Sequence, residues 1–135
     1  MPTSTLPFER PILVASSYPA DALLLRAALD RVGLPMALAE DAVTAMHAVC
    51  TQPAAFAGIV VGDRVGRASG LTLCGLARDA GCNLPILLMT PDESGTIALR
   101  AARLRVTVLW QPVSTRRLED ALRGLFSQRR QCMAS

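Results

Sequence analysis

Short apolar runs alternate with segments of helical periodicity along the whole chain. The run PILVA at residues 11–15 precedes residues 20–32, in which Leu25, Leu29 and Val32 recur at the spacing of one helix face. Glycine and proline then follow directly and end the helical pattern. The pattern predicts a buried strand followed by an amphipathic helix.

Four further pairs of a strand and a helix follow. The strands are predicted at MALAE, FAGIVVGD, LPILLMT and VTVLW, and the helices at residues 42–50, 70–80, 94–104 and 114–127. The uninterrupted β-branched run IVV is typical of a strand that is buried on both faces of a parallel sheet. Five strands that alternate with five helices predict a doubly wound α/β domain, with helices on both faces of the sheet.

Composition limits the chain to one domain with an aliphatic core, because it has 135 residues, of which 51% are hydrophobic and 4% aromatic. No apolar run approaches the length of a membrane span, and residues 1–10 lack the features of a signal peptide. We therefore expect a cytoplasmic protein that does not enter a membrane. We divide it into a flexible lead-in at 1–10, a domain at 11–128 and a basic tail at 129–135.

The charged and sulfur-containing residues narrow the chemistry further. All fourteen basic residues are arginine, as the codon bias of a GC-rich genome would produce, so no site in this chain can use a lysine ammonium. The four cysteines lack the spacing of metal ligands, and we expect reduced thiols.

Polar residues and turn residues follow the ends of the predicted strands. In an open α/β sheet, ligands bind beyond the carboxyl ends of the central strands, where the strand order reverses. The candidate site therefore consists of the residues at these ends: Ser16, Ser17, Gly62, Asp63, Thr90, Gln111 and Pro112.

The order of the elements, together with the motifs PILLMT, WQPVS and GDRVGRASGL, resembles the receiver domain of bacterial two-component response regulators, from about Pro11 to Phe126. The resemblance implies a flavodoxin-like fold of five parallel strands and five helices, with strand order 2-1-3-4-5. It places Thr90 at the family's Ser/Thr position and Gly70 at the glycine eight residues past the phosphoacceptor. It also implies a cis peptide bond before Pro112, at the position of the family's Lys-Pro dipeptide.

The family's chemistry is phosphoryl transfer to an aspartate, and this sequence lacks most of the groups required. The acidic pair that helps to bind Mg²⁺ falls on Ser16 and Ser17, the acceptor falls on Gly62, and the lysine falls on Gln111. Neutral hydroxyls cannot replace two carboxylates as ligands of Mg²⁺, and no cation would neutralise an incoming phosphoryl group. We expect a pseudo-receiver with no phosphoacceptor, metal or cofactor and no enzymatic activity.

Three polar residues near these positions have simpler expected roles. Successive strand residues point to opposite sides, so Asp63 is expected to direct its carboxylate away from the acceptor position. It is interpreted as a loop or cap carboxylate. Ser16 and Ser17 are expected to form a turn and to cap the first helix, which has Pro19 near its start.

Arginines are concentrated toward the carboxyl end, where receivers have their output or dimer surface. We expect Arg100, Arg103, Arg116 and Arg117 to bind a signalling protein such as a histidine kinase or an output domain, and a homodimer stays open. The alternative is a sensor that binds an anionic nucleotide such as cyclic di-GMP, on this surface or in the vacated crevice. A merely solvated basic surface is a third interpretation. DNA binding is not expected, because the chain has no helix-turn-helix motif or aromatic-interleaved basic patch.

Overall fold

The domain is built on a five-stranded parallel sheet with helices on both faces. The computed structural model describes the backbone of residues 10–134 and the side chains of residues 10–126. The strands of the sheet are β1 (Ile12–Ala15), β2 (Met36–Ala39), β3 (Gly58–Val61), β4 (Ile86–Thr90) and β5 (Val106–Trp110). The helices are α1 (Pro19–Val32), α2 (Ala42–Thr51), α3 (Gly70–Asp79), α4 (Gly95–Arg103) and α5 (Thr115–Ala134).

The strand order in the sheet is β2-β1-β3-β4-β5, and every neighbouring pair is parallel. The predicted fold class and strand order are therefore confirmed. The chain leaves β1 toward β2 on one side and later returns to β3 on the other, so the order reverses between β1 and β3. A crevice is expected at the carboxyl ends of these two strands.

Alternating strand residues form two separate apolar layers, because successive side chains of a strand point to opposite faces. Val14, Val60 and Leu87 pack with α1 and α5 on one face. On the other face, residues of the same strands pack with α2, α3 and α4, and they include Leu13, Ile59 and Leu88. The alternation of buried residues thus fixes which helices cover which side of the sheet.

Helix α5 is attached to the sheet through a fully buried aromatic ring. A Cβ atom on Gly58 would overlap the ring of Phe126, so the ring packs directly on the backbone of β3. The helix continues to Ala134, beyond residue 127, where the sequence pattern ended it. The predicted lead-in, apart from residue 10, and the side chains of the predicted tail lie outside the described residues. Among the helices that are described, none is both long and apolar enough to cross a membrane.

A short hairpin that the sequence pattern did not predict follows β3. Arg64–Val65 pairs antiparallel with Ala68–Ser69, and the intervening turn uses the positive φ of Gly66, 64°. Strands of two residues are too short to produce a readable alternation. The hairpin lies against the end of β1, because both the backbone N–H and the Oγ of Ser17 donate to the carbonyl of Arg64 at 3.1 Å.

Arg78, near the end of α3, joins two other parts of the chain. Its Nε donates to the carbonyl of Leu104 at 2.8 Å and its Nη2 to that of Arg105 at 3.0 Å, just after α4. Its Nη1 donates to the carbonyls of Cys82 and Leu84, ahead of β4. Desolvation lowers the pKa of the guanidinium, which nevertheless stays charged in a protein. The cation therefore satisfies carbonyls at the end of α4 that have no partner within that helix.

Candidate functional site

The carboxyl ends of β1, β3, β4 and β5 enclose a polar crevice. Most of the residues predicted from the sequence come together there, and two carboxylates lie among them. The crevice consists of Ser16, Asp21, Gly62, Asp63, Thr90 and Gln111, while Ser17 contacts the hairpin beside it.

The carboxylate of Asp21 links the two sides of the crevice. Asp21 lies in the first turn of α1 and is only 9% exposed. Its Oδ2 accepts a hydrogen bond from Ser16 Oγ, and its Oδ1 accepts one from Gln111 Nε2, each at 3.2 Å. The buried carboxylate is thereby hydrogen-bonded from the ends of both β1 and β5, as a buried polar group requires.

Gly62 lies where the resemblance places the phosphoacceptor, and the space beside it is already filled. A Cβ atom on Gly62 would lie 2.7 Å from Ser16 Oγ and 3.3 Å from Asp21 Oδ2. The backbone N–H of Gly62 donates to the carbonyl of Ala15 at 2.8 Å, which holds residue 62 against β1. Two polar side chains therefore occupy the place where a side chain at residue 62 would begin.

Asp21 was not singled out from the sequence, although a signal for it exists. It precedes Leu25 by four residues and Leu29 by eight, so it lies on the apolar stripe of α1. A carboxylate on the buried stripe of a helix requires a polar partner in the interior. The sequence could thus have indicated that Asp21 is a site residue, but not which groups bind it.

The two serines after β1 differ from their expected role. The N-cap of α1 is Tyr18, and its side chain makes no capping hydrogen bond, so the prediction that Ser16 and Ser17 cap the helix is wrong. Ser16 Oγ accepts the N–H of Tyr18 at 3.1 Å and thus forms the predicted turn. Because the helix begins at Pro19, one residue separates it from the serines, which contact Asp21 and the hairpin instead.

Asp63 also lies in the crevice, contrary to the argument from strand alternation. Thr90 Oγ1 donates to Asp63 Oδ1 at 2.6 Å, and Thr90 itself is 1% exposed. Strand β3 ends at Val61, so alternation along the strand no longer sets the direction of residue 63. Thr90, which the resemblance places at the family's Ser/Thr position, is thus hydrogen-bonded to the carboxylate of Asp63. Asp63 lies one residue beyond Gly62, where the resemblance places the acceptor.

The residues of the crevice include two carboxylates and no arginine or histidine. Within residues 10–126, neither Asp21 nor Asp63 forms an ion pair, and no group of three or more His, Cys, Asp and Glu side chains could hold a metal. Gln111 contributes a neutral amide, and its backbone N–H donates to the carbonyl of Thr90 at 2.9 Å. The peptide bond between Gln111 and Pro112 is cis, as predicted. Two carboxylates without a cation disfavour an anionic ligand here.

The arginines predicted to bind a partner lie outside the crevice. Arg100 and Arg103 are exposed on α4, and Arg116 and Arg117 are exposed at the start of α5. None of the four forms an ion pair with another residue whose side chain is described. Arg123 differs, because it pairs with Glu119 and Asp120 on its own helix. The four arginines predicted to bind a partner lie off the apolar faces of α4 and α5, as expected.

Comparison with solved structures shows the same fold in receiver domains. The signal receiver domain of an HD domain-containing protein from Pseudomonas fluorescens superposes with a TM-score of 0.78 at 19% identity, covering 99% of this chain and 97% of that chain. The receiver domain of the Francisella response regulator 1452 gives 0.78 at 18% identity, covering 88% and 98%. That of a putative Luxo repressor protein from Vibrio parahaemolyticus gives 0.79 at 14% identity, covering 90% and 94%. No protein-family model matches the sequence, and no curated protein matches it.

Proposed function

We propose that this receiver-fold domain is a pseudo-receiver of two-component signalling, which binds a partner protein without accepting a phosphoryl group and catalyses no reaction. The observation that supports this most directly is the filled crevice. Asp21 and Ser16 occupy the space beside Gly62, and their hydrogen bonds satisfy one another and Gln111. A crevice arranged in this way is complete without a phosphoryl group or a metal.

The remaining acidic residue does not restore the chemistry. Phosphoryl transfer to a carboxylate requires charge stabilisation of the transferred group, which receivers provide with a divalent cation and a lysine. Asp63 has a hydroxyl donor in Thr90, but Ser16, Ser17 and Gln111 bring no charge to the crevice. An approaching phosphoryl donor would instead meet the second carboxylate, that of Asp21.

Partner binding is assigned to the exposed arginines of α4 and α5, namely Arg100, Arg103, Arg116 and Arg117. Guanidinium groups suit this role because they bind carboxylates through two parallel hydrogen bonds. The alternative of a cyclic di-GMP sensor is restricted to this same surface, since the crevice carries two carboxylates. A protein partner is preferred, because the crevice has lost its chemistry while the fold around it is kept.

The proposal that the domain accepts no phosphoryl group is tested with a small-molecule phosphoryl donor and with a phosphoryl analogue. Acetyl phosphate or beryllofluoride with Mg²⁺ is expected to leave the amide NMR spectrum of the full chain unchanged, because the crevice lacks an acceptor and a cation. The Asp63→Asn variant is the matched control. A saturable, Mg²⁺-dependent shift of crevice amides that disappears in this variant would identify Asp63 as an acceptor and refute the proposal.

A further inference from the structure

Helix α4 presents a leucine beside two arginines on its solvent side. Ala101 is its only buried residue within Gly95–Arg103. Leu99 is 57% exposed, and Arg100 and Arg103 are also exposed. Residues three and four apart are neighbours on a helix surface, so Arg103 lies next to both of the others. We call these three residues the α4 face.

Arginine is the only charged residue type in the stretch that contains the α4 face, and acidic residues flank this stretch at 92, 93, 119 and 120. Between Ser94 and Leu118 there are five arginines and no aspartate or glutamate. Helix α1 offers a comparison, because Leu23 and Arg26 are likewise exposed there at a spacing of three. On α1, however, Asp30 follows Arg26 at a spacing of four, where a helix places opposite charges in contact range. The α4 face has no such internal carboxylate.

Helix stability accounts for only part of this pattern. Arginines in the last turn of α4 interact favourably with the helix dipole, although Arg78 already donates to the carbonyl of Leu104. An exposed leucine gains nothing from that effect. Apolar contact at the centre of a patch, with arginine around it, is instead typical of protein interfaces.

We propose that the α4 face docks on an acidic protein surface, which supplies carboxylates to Arg100 and Arg103 and an apolar contact to Leu99. This inference rests on the proposed function, because it names the chemistry of the partner. A second copy of the chain is disfavoured as the occupant, since a two-fold symmetric contact would bring this positive surface against itself. A nucleic acid is disfavoured because its phosphates would pair with the arginines while leaving Leu99 without an apolar partner.

The test uses a synthetic amphipathic helical peptide with glutamates on both sides of a leucine stripe, titrated into the full chain and followed by amide NMR. Its control is the same peptide with glutamine at every glutamate. We expect shifts confined to α4, an affinity that falls with salt, and weak binding of the control peptide. Leu99→Ser, Arg100→Glu and Arg103→Glu should each weaken binding by about tenfold or more, as removal of a paired interface group does.

The α1 pair provides matched control variants. Leu23→Ser and Arg26→Glu change the same residue types at exposed positions and should leave the affinity unchanged. All five positions are exposed, so the variants are expected to fold, and their melting temperatures check this. Equal weakening by the α1 and α4 variants would overturn the inference, because it would indicate nonspecific attraction.

Two other occupants give distinct results. Tighter binding of a short DNA duplex than of the peptide at the α4 amides would replace the acidic protein with a nucleic acid. Shifts of these amides with protein concentration alone would indicate a second copy. Failure of the proposed function can be distinguished from failure of this inference. Phosphorylation at Asp63 would shift the amide signals of the crevice, and it would leave peptide binding at α4 intact.

Discussion

At residue 62 the absence of a side chain lets two polar groups approach the backbone between β1 and β3. A Cβ atom built on residue 62 would lie 2.7 Å from the Oγ of Ser16 and 3.0 Å from the Cβ of Ser16. Both are closer than ordinary van der Waals contact, so packing disfavours any side chain at residue 62. Because Ser16 also binds Asp21, a larger residue at 62 would disturb the hydrogen bonds of the crevice.

Gly62→Ala is therefore expected to lower the free energy of unfolding by roughly 1 to 3 kcal/mol, the usual cost of overpacking, as measured by urea denaturation. The cost should decrease when Ser16→Ala removes the nearest atom, so the two changes should not be additive. Gly124→Ala on α5 is the control, since a Cβ atom there would meet nothing within 4 Å. An equal cost of Gly62→Ala in both Ser16 backgrounds would contradict this packing argument.

At the scale of the elements, one guanidinium joins the end of α3 to the turn between α4 and β5. That turn is sharp, because Arg105 has a φ of 58°, in the left-handed region that most residues avoid. The hydrogen bonds from Arg78 to the carbonyls of Leu104 and Arg105 hold the turn in this conformation. The position of the α4 face relative to the sheet thus depends on a residue outside α4.

Arg78→Ala is expected to lower the free energy of unfolding by about 2 to 4 kcal/mol, because four carbonyls lose a charged donor. Arg78→Lys should recover only part of this, since an ammonium cannot reproduce the planar array of donors. Arg26→Ala, at an exposed position on α1, serves as the control in the same denaturation series. Similar effects of the Ala substitutions at 78 and 26 would show that the hydrogen bonds contribute little.

Across the molecule, burial separates the three cysteines whose side chains are described into two classes. Cys50 is exposed, whereas Cys74 is 1% exposed and Cys82 is 4% exposed. Burial raises the pKa of the Cys74 thiol from 9.0 to about 12, so the folded state disfavours its thiolate. The chain has no lysine, so no ammonium side chain contributes in this alkaline range.

The stability contribution of Cys74 should therefore be complete below pH 9 and be lost as the pH rises toward 12, because only the unfolded state releases the proton there. By pH 10 the loss should be roughly 1 to 2 kcal/mol, measured as the change in unfolding free energy with pH. Cys74→Ala should flatten this dependence, while Cys50→Ala should leave it unchanged. A slope that persists in Cys74→Ala would place the titration on another group.

The pattern of apolar residues is sufficient to predict the fold and the location of the crevice. Apolar periodicity is a local property of the chain, so it indicates each strand and helix without knowledge of the others. Once the strands are parallel, their carboxyl ends meet at one edge, which brings Ser16, Gly62, Thr90 and Gln111 together. The absence of lysine, and of an acidic side chain at 62, is likewise a property of the sequence alone.

The pairing of polar atoms in the crevice depends on the folded structure. Asp21 is bound by Gln111, ninety residues away along the chain, and Asp63 is bound by Thr90, twenty-seven residues away. A sequence pattern reports whether a position is apolar, but a hydrogen bond depends on distances of a few tenths of an ångström between residues that the fold brings together. For this reason the sequence could indicate which of the family's groups this chain does not supply, while the hydrogen bonds of Asp21 to Ser16 and Gln111 are seen only in the folded chain.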